Sequence, residues 1–154
     1  TAEELTAAVA SLWPDPAHGE PWLVCTGGEP LLQLDAPLVA AFHEAGFEVA
    51  LETNGTLPVP AGVDWVCLSP KGSAPLALDV CDELKLVYPQ EDAPPERFGH
   101  IRARYRFLAP MASPRCATGE DAVKARNTRL ALAYCLSNPA WRLSLQVHKL
   151  LGID

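Results

Sequence analysis

Short apolar runs recur along this chain, and each stops at a cluster of glycine, proline or small polar residues. Trp22-Leu23-Val24-Cys25-Thr26 ends at Gly27-Gly28, the run over 47–52 ends near Asn54-Gly55, and the run over 64–69 ends at Pro70. Further runs occupy 83–88, 105–109 and 141–147. Helical signals fall between some of them. Thr1 and Glu4 have the capping-box spacing that opens a helix over 1–12, with Leu5, Val9 and Leu12 on one face. Asp35 caps a second helix, with Pro37 in its first turn and Gly46 beyond its end. A longer helix is predicted over 120–138, with Val123, Leu130, Ala131, Tyr134 and Cys135 turned inward. Strand–helix alternation of this kind implies an α/β fold with a mostly parallel sheet, open or curled into a barrel. The connections after Ser69 and Tyr88 carry little helix signal. A regular eightfold barrel therefore does not fit, and a partial or modified (β/α) barrel does.

Composition limits the partners. The 154 residues carry a net charge of −7 and a pI near 5.0, which argues against a nucleic-acid backbone or an anionic membrane as the main partner. No run reaches the ~18 apolar residues of a membrane span, and no leader pattern is present, so a cytoplasmic protein is expected. The five cysteines (Cys25, Cys67, Cys81, Cys116 and Cys135) form no CxxC or CxxxC pair, so no metal or cluster site is legible from local spacing. Cys25 and Cys67 lie in apolar runs and are expected to pack as small hydrophobes. The chain opens inside a helix without methionine. A single domain over 1–154 that lacks its amino-terminal portion is the expectation.

Polar clusters at three successive strand ends carry the chemistry. They are Thr26-Gly27-Gly28-Glu29-Pro30, Glu52-Thr53-Asn54-Gly55-Thr56 and Ser69-Pro70-Lys71. In parallel α/β folds ligands bind where carboxyl ends of strands meet the following loops, so the three clusters can converge on one pocket. The glycine pair lets backbone approach a ligand closely, although two glycines equally make a plain turn. Glu52 and Asn54 alternate with Thr53, so one face of that strand end offers a carboxylate and an amide to a ribose diol or an amino group. Asn-Gly also makes a capped turn without any ligand. Lys71 can neutralise a carboxylate or simply be solvated. Over 141–147, Leu143, Leu145 and Val147 alternate with Ser144, Gln146 and His148, which directs the polar set into the barrel.

The ordered series resembles one family. Val24-Cys25-Thr26-Gly27-Gly28-Glu29-Pro30-Leu31, then Glu52-Thr53-Asn54-Gly55-Thr56, Ser69-Pro70-Lys71, Asp82-Glu83-Leu84-Lys85-Leu86-Val87 and the stretch over 141–153 together look like 7-carboxy-7-deazaguanine synthase. That family belongs to the radical S-adenosylmethionine superfamily. The resemblance implies a partial barrel of the radical SAM type, with S-adenosylmethionine cleaved at a [4Fe–4S] cluster. The radical so formed takes a hydrogen from 6-carboxy-5,6,7,8-tetrahydropterin, which contracts, with Mg2+ assisting, to 7-carboxy-7-deazaguanine. By position, Gly27, Gly28 and Glu29 meet the methionine amino group, Glu52 and Asn54 the ribose, and Ser69 and Lys71 the polar end of the cofactor. Thr26, His148 and Asp154 face the pterin. The cluster cysteines and the magnesium ligand are expected upstream of Thr1. A homodimer and a reductant such as flavodoxin are implied as well.

Two positions depart from the family pattern. Ala109 stands where glutamine is expected, and Val147 where threonine is expected. Other readings are a truncated or degenerate chain that binds S-adenosylmethionine or pterin without turnover, a glycyl-radical activase, and a barrel lyase or isomerase using His148 and Glu52 as acid and base.

Overall fold

The computed structural model describes residues 1–13, 19–113 and 121–147. Helix α1 (Ala2–Ala10) opens with the full capping box: Glu4 N donates to Thr1 Oγ1 at 3.2 Å, and the Thr1 amino group donates to Glu4 Oε2 at 2.8 Å. Strand β1 (Trp22–Cys25) leads through a 3-10 turn at Pro30–Leu32 to helix α2 (Ala36–Glu44), which Asp35 caps through Leu38 N. Strands β2 (Glu48–Thr53), β3 (Trp65–Leu68) and β4 (Val80–Tyr88) follow without intervening α-helix. After a 3-10 turn at Pro95–Phe98, strand β5 (Arg102–Pro110), helix α3 (Ala122–Ser137) and strand β6 (Arg142–Leu143) complete the order.

The six strands pair in chain order, and every pairing is parallel. The sheet is open among the described residues, with β1 and β6 at its edges, as an incomplete barrel requires. β4 and β5 are longer than their apolar runs suggested. β6 is shorter, because pairing with β5 stops at Leu143.

One face of the sheet is apolar and covered. Val49 and Leu51 pack with Val39, Phe42 and Phe47 under α2, while Leu68, Leu84, Leu86 and Leu108 pack with Phe98, Ile101, Ala131 and Trp141. Full burial of each such side chain stabilises the fold by about 1.5–3 kcal/mol. Aspartates tie neighbouring strands together at the opposite end from the site. Asp64 accepts Val49 N–H at 2.7 Å, and Asp82 accepts Val66 N–H at 2.9 Å.

Three packing expectations change. Leu5 and Leu12 of the first helical stretch are exposed, and Val9 alone of that trio packs on the core. In α3 the buried pair is Asn127 and Ala131, with Tyr134 and Cys135 alongside, whereas Val123 and Leu130 face solvent. Asn127 wins the inward place because its amide donates to Met111 O at 2.8 Å, which joins α3 to the end of β5. Leu145 and Val147, expected against the helices, are exposed, since the chain leaves the sheet after Leu143. Cys67 is buried as expected, while Cys25 is only half-buried. Among the described residues, no helix is long and apolar enough to cross a membrane.

Candidate functional site

Period-two alternation puts a polar row on the sheet face opposite the helices. Glu52 pairs with Cys67 and Cys67 with Glu83, so these residues share a face. Two residues further along β4, Lys85 follows Glu83 on that face, and Val87 follows Lys85. Tyr105, which pairs with Glu83, stacks on Trp65 with ring centroids 5.9 Å apart. Above the row, where the carboxyl ends of the strands meet their loops, lies a cavity of about 510 Å³.

Six of the expected cofactor residues line that cavity: Gly27, Gly28, Glu52, Asn54, Ser69 and Lys71. Thr26, expected on the pterin side, lines it too. The three strand-end clusters therefore converge. Glu29 takes a different place. It does not line the cavity, and its carboxylate accepts Thr53 Oγ1 at 2.7 Å, Asn54 N at 2.8 Å and Leu31 N at 3.2 Å. Glu29 thus fastens the loop after β1 to the end of β2 and sets the spacing of the two clusters. His148 and Asp154 lie outside the described residues.

Glu52 is the electrostatic centre of the site. Lys85 Nζ donates to its Oε1 at 2.7 Å, and Thr26 Oγ1 donates to its Oε2 at 3.2 Å. The hydrogen bond from Lys85 holds the Glu52 carboxyl below its usual range against the opposing effect of partial burial, with Thr26 and the charge of Lys71 helping. Burial pulls the Lys85 ammonium down, but the Glu52 bond and the nearby acids outweigh it, and the net shift is upward. Asn54 Oδ1 accepts Thr56 N at 2.9 Å, which turns the amide and leaves its N–H donors unused among the described residues. Lys71 Nζ donates to Ser69 Oγ at 3.2 Å and is otherwise exposed.

Lys85, Ser144 and Gln146 also line the cavity, as do Val87, Ala109 and Leu145. The signal for Lys85 was present in the alternation of Glu83, Lys85 and Val87 with buried Leu84 and Leu86. Ala109, at the position where the resemblance leads one to expect glutamine, lines the cavity wall.

Gly28 tests whether the cavity suits a ligand. No protein atom lies within 4 Å of where its Cβ would stand, and its backbone has no positive φ. Neither packing nor conformation demands glycine at 28, so the bare wall there suits close approach of a bound molecule. With a carboxylate, an amide, an ammonium that has no carboxylate partner among the described residues and a glycine wall, these residues fit S-adenosylmethionine. They do not fit an iron–sulfur cluster. The described cysteines stand on β1, β3, β4 and α3, and no group of three or more His, Cys, Asp or Glu ligands occurs among the described residues. Burial pushes the Cys67 thiol up to about 12 and the Cys81 thiol up to about 11, far from the thiolate that metal binding needs.

Comparison with known proteins agrees with this geometry. The chain is 53% identical over 156 residues to the 7-carboxy-7-deazaguanine synthase of Caulobacter vibrioides, covering 99% of this chain and 69% of that protein. It is 51% identical over 153 residues to the synthase of the same name from Bordetella pertussis, covering 99% of this chain and 68% of the relative. The crystal structure of QueE from Escherichia coli superposes with a TM-score of 0.62 at 25% identity, covering 95% of this chain and 63% of that one. No protein-family model matches the chain. The open parallel sheet, with its cavity at the carboxyl ends of the strands, is a partial α/β barrel of the radical S-adenosylmethionine type. The chain belongs to the 7-carboxy-7-deazaguanine synthase family and spans about two thirds of the length of these relatives.

Proposed function

We propose that this chain forms the cofactor- and substrate-facing part of a 7-carboxy-7-deazaguanine synthase. The reaction is the ring contraction of 6-carboxy-5,6,7,8-tetrahydropterin to 7-carboxy-7-deazaguanine, a carbon–nitrogen lyase step toward queuosine and related 7-deazapurines. The observation that carries this reading is the meeting of three strand-end clusters at one cavity, in a chain so similar to synthases along its whole length.

In this reading each residue has a defined task. Glu52 accepts hydrogen bonds from the ribose hydroxyls, and Asn54 donates to them. Lys71, steadied by Ser69, neutralises the carboxylate of the methionine moiety. Backbone groups of Gly27 and Gly28 meet the methionine amino group, and Glu29 holds the loop that presents them. Thr26, His148 and Asp154 serve the pterin side. S-adenosylmethionine, bound with a reduced [4Fe–4S] cluster, supplies the hydrogen-abstracting chemistry. The cluster and a Mg2+ ion are assigned to the third of the family's length that this chain does not span. A single domain, a homodimer, a flavodoxin-type reductant and a cytoplasmic setting complete the proposal.

The test is anaerobic reconstitution of the full-length protein with iron and sulfide, followed by addition of S-adenosylmethionine, dithionite and the carboxypterin. Formation of 7-carboxy-7-deazaguanine, read by mass spectrometry, is expected. A loaded cluster without product would leave a non-catalytic binder of the same fold, the outcome that the alanine at position 109 would favour.

A further inference from the structure

Two lysines reach the cavity, and their surroundings differ. Among the described residues Lys71 Nζ has only the Ser69 hydroxyl as partner, so its charge is available to an anion. Lys85 is half-buried, with a side-chain exposure of 27%, and its ammonium is already spent on Glu52 Oε1 at 2.7 Å. The opposite oxygen of Glu52 is fixed by Thr26 Oγ1 at 3.2 Å. The carboxylate is thus gripped from both ends, by a β4 residue and by the residue that follows β1. Glu83 sits on the same face two positions before Lys85, where it accepts Cys67 Sγ at 3.4 Å and adds a second negative charge beneath the ammonium. Without a cation at 85, Glu52 would stand near another carboxylate with only the Thr26 hydroxyl and the more distant charge of Lys71 to hold it, and would swing toward solvent.

We propose that Lys85 is a positioning residue of this site: by anchoring one oxygen of Glu52, it fixes the direction in which that carboxylate meets a ribose diol, while Lys71 alone takes the ligand's carboxylate. The inference rests on the reading of the cavity as the S-adenosylmethionine site. The two lysines divide the work. One makes the site selective for a ribonucleoside, and the other makes it selective for an amino-acid tail.

The experiment measures binding of S-adenosylhomocysteine and its 2′,3′-dideoxy analogue to the full-length protein by calorimetry. The wild type is expected to prefer the ribo form by about tenfold or more, the scale of a hydrogen bond to a charged group. Lys85→Met is expected to cut that preference to about twofold, Lys85→Arg to retain most of it, and Lys71→Met to weaken both ligands alike with the preference intact. A merely structural role for Lys85 would weaken both ligands without changing their ratio. If Lys85→Met does not fold, Lys85→Leu, which likewise removes the donor and the charge, carries the same measurement. A folded Lys85 variant without the cation that keeps the full ribo preference overturns the proposal while leaving the cofactor reading in place. If Glu52→Gln also leaves the preference unchanged, or the wild type shows none, the reading of the cavity itself falls, and this inference with it.

Discussion

A methyl group at Gly28 would meet no protein atom within 4 Å, whereas one at Gly55 would stand 2.2 Å from Leu68 Cδ1. Gly55 is also held at φ +78°, in the left-handed region that side chains resist. Substitution therefore separates two kinds of glycine. Gly55→Ala is expected to destabilise the protein by about 2–4 kcal/mol, as strain and overpacking combine, and chemical denaturation would read it. Gly28→Ala is expected to leave the denaturation midpoint unchanged while lowering affinity for S-adenosylhomocysteine at least about tenfold, because the methyl group fills space the ligand needs. At this scale the sequence marked Gly28 as a candidate ligand contact and Gly55 as a turn residue, without showing what surrounds either. Only the fold showed the neighbours, Leu68 for one and open cavity for the other.

Elements are joined by side chains from the next element along. Asp64, just before β3, accepts Val49 N–H in β2 and pairs with His43 Nε2 in α2 at 2.8 Å, so one carboxylate fastens three elements. The Val49 N–H, with His43 in support, holds the Asp64 carboxyl below its ordinary 3.8. A depressed folded value means the stabilisation is complete above the unfolded value and is lost as pH falls through the folded one. Asp64→Asn should therefore be less stable than wild type near neutrality, with the gap closing as pH drops below about 4. Thermal melts across pH 3–7 would check it. In α3, Ala131 is fully buried while Leu130 is 42% exposed. Ala131→Leu should cost about 1–3 kcal/mol by overpacking, whereas Leu130→Ala should change stability by less than about 0.5 kcal/mol. The helix was legible in the sequence, and so were Ala131, Tyr134 and Cys135 on its inward face; Val123 and Leu130 were placed inward wrongly, and Asn127 was missed. Apolar residues surround α3 on several sides, and the choice was made by the Asn127 amide finding the carbonyl of Met111.

For the whole molecule, the cavity joins loops from both halves of the sheet, so a ligand there bridges strands that otherwise meet only through their neighbours. Binding to the native state alone adds about 2.7 kcal/mol at a hundredfold excess over Kd. S-adenosylhomocysteine at that excess should raise the melting temperature of the full-length protein by several degrees, and Gly28→Ala at the same ligand concentration should show little of the rise.

The order of the strands was not readable in the chain, whereas parallel pairing and the approximate positions of the strands were. They depend on local periodicity, and on each apolar run stopping at a glycine, proline or asparagine that can only turn. The three polar clusters were readable for the same reason, since they are the turns. The charge pairing was not. Glu52 and Lys85 lie 33 residues apart, and they meet because two strand registers and the curl of the sheet bring an ammonium from β4 across β3 to β2. Glu29 likewise looked like a ligand contact beside its glycines, until the fold turned its carboxylate onto Thr53 and Asn54. Sequence alone determined which residues stand at the mouth of this half-barrel, because that follows from where strands end. Tertiary structure decided which of them hold each other and which stay open to a ligand, because hydrogen bonds between strand ends depend on distances that no local pattern encodes.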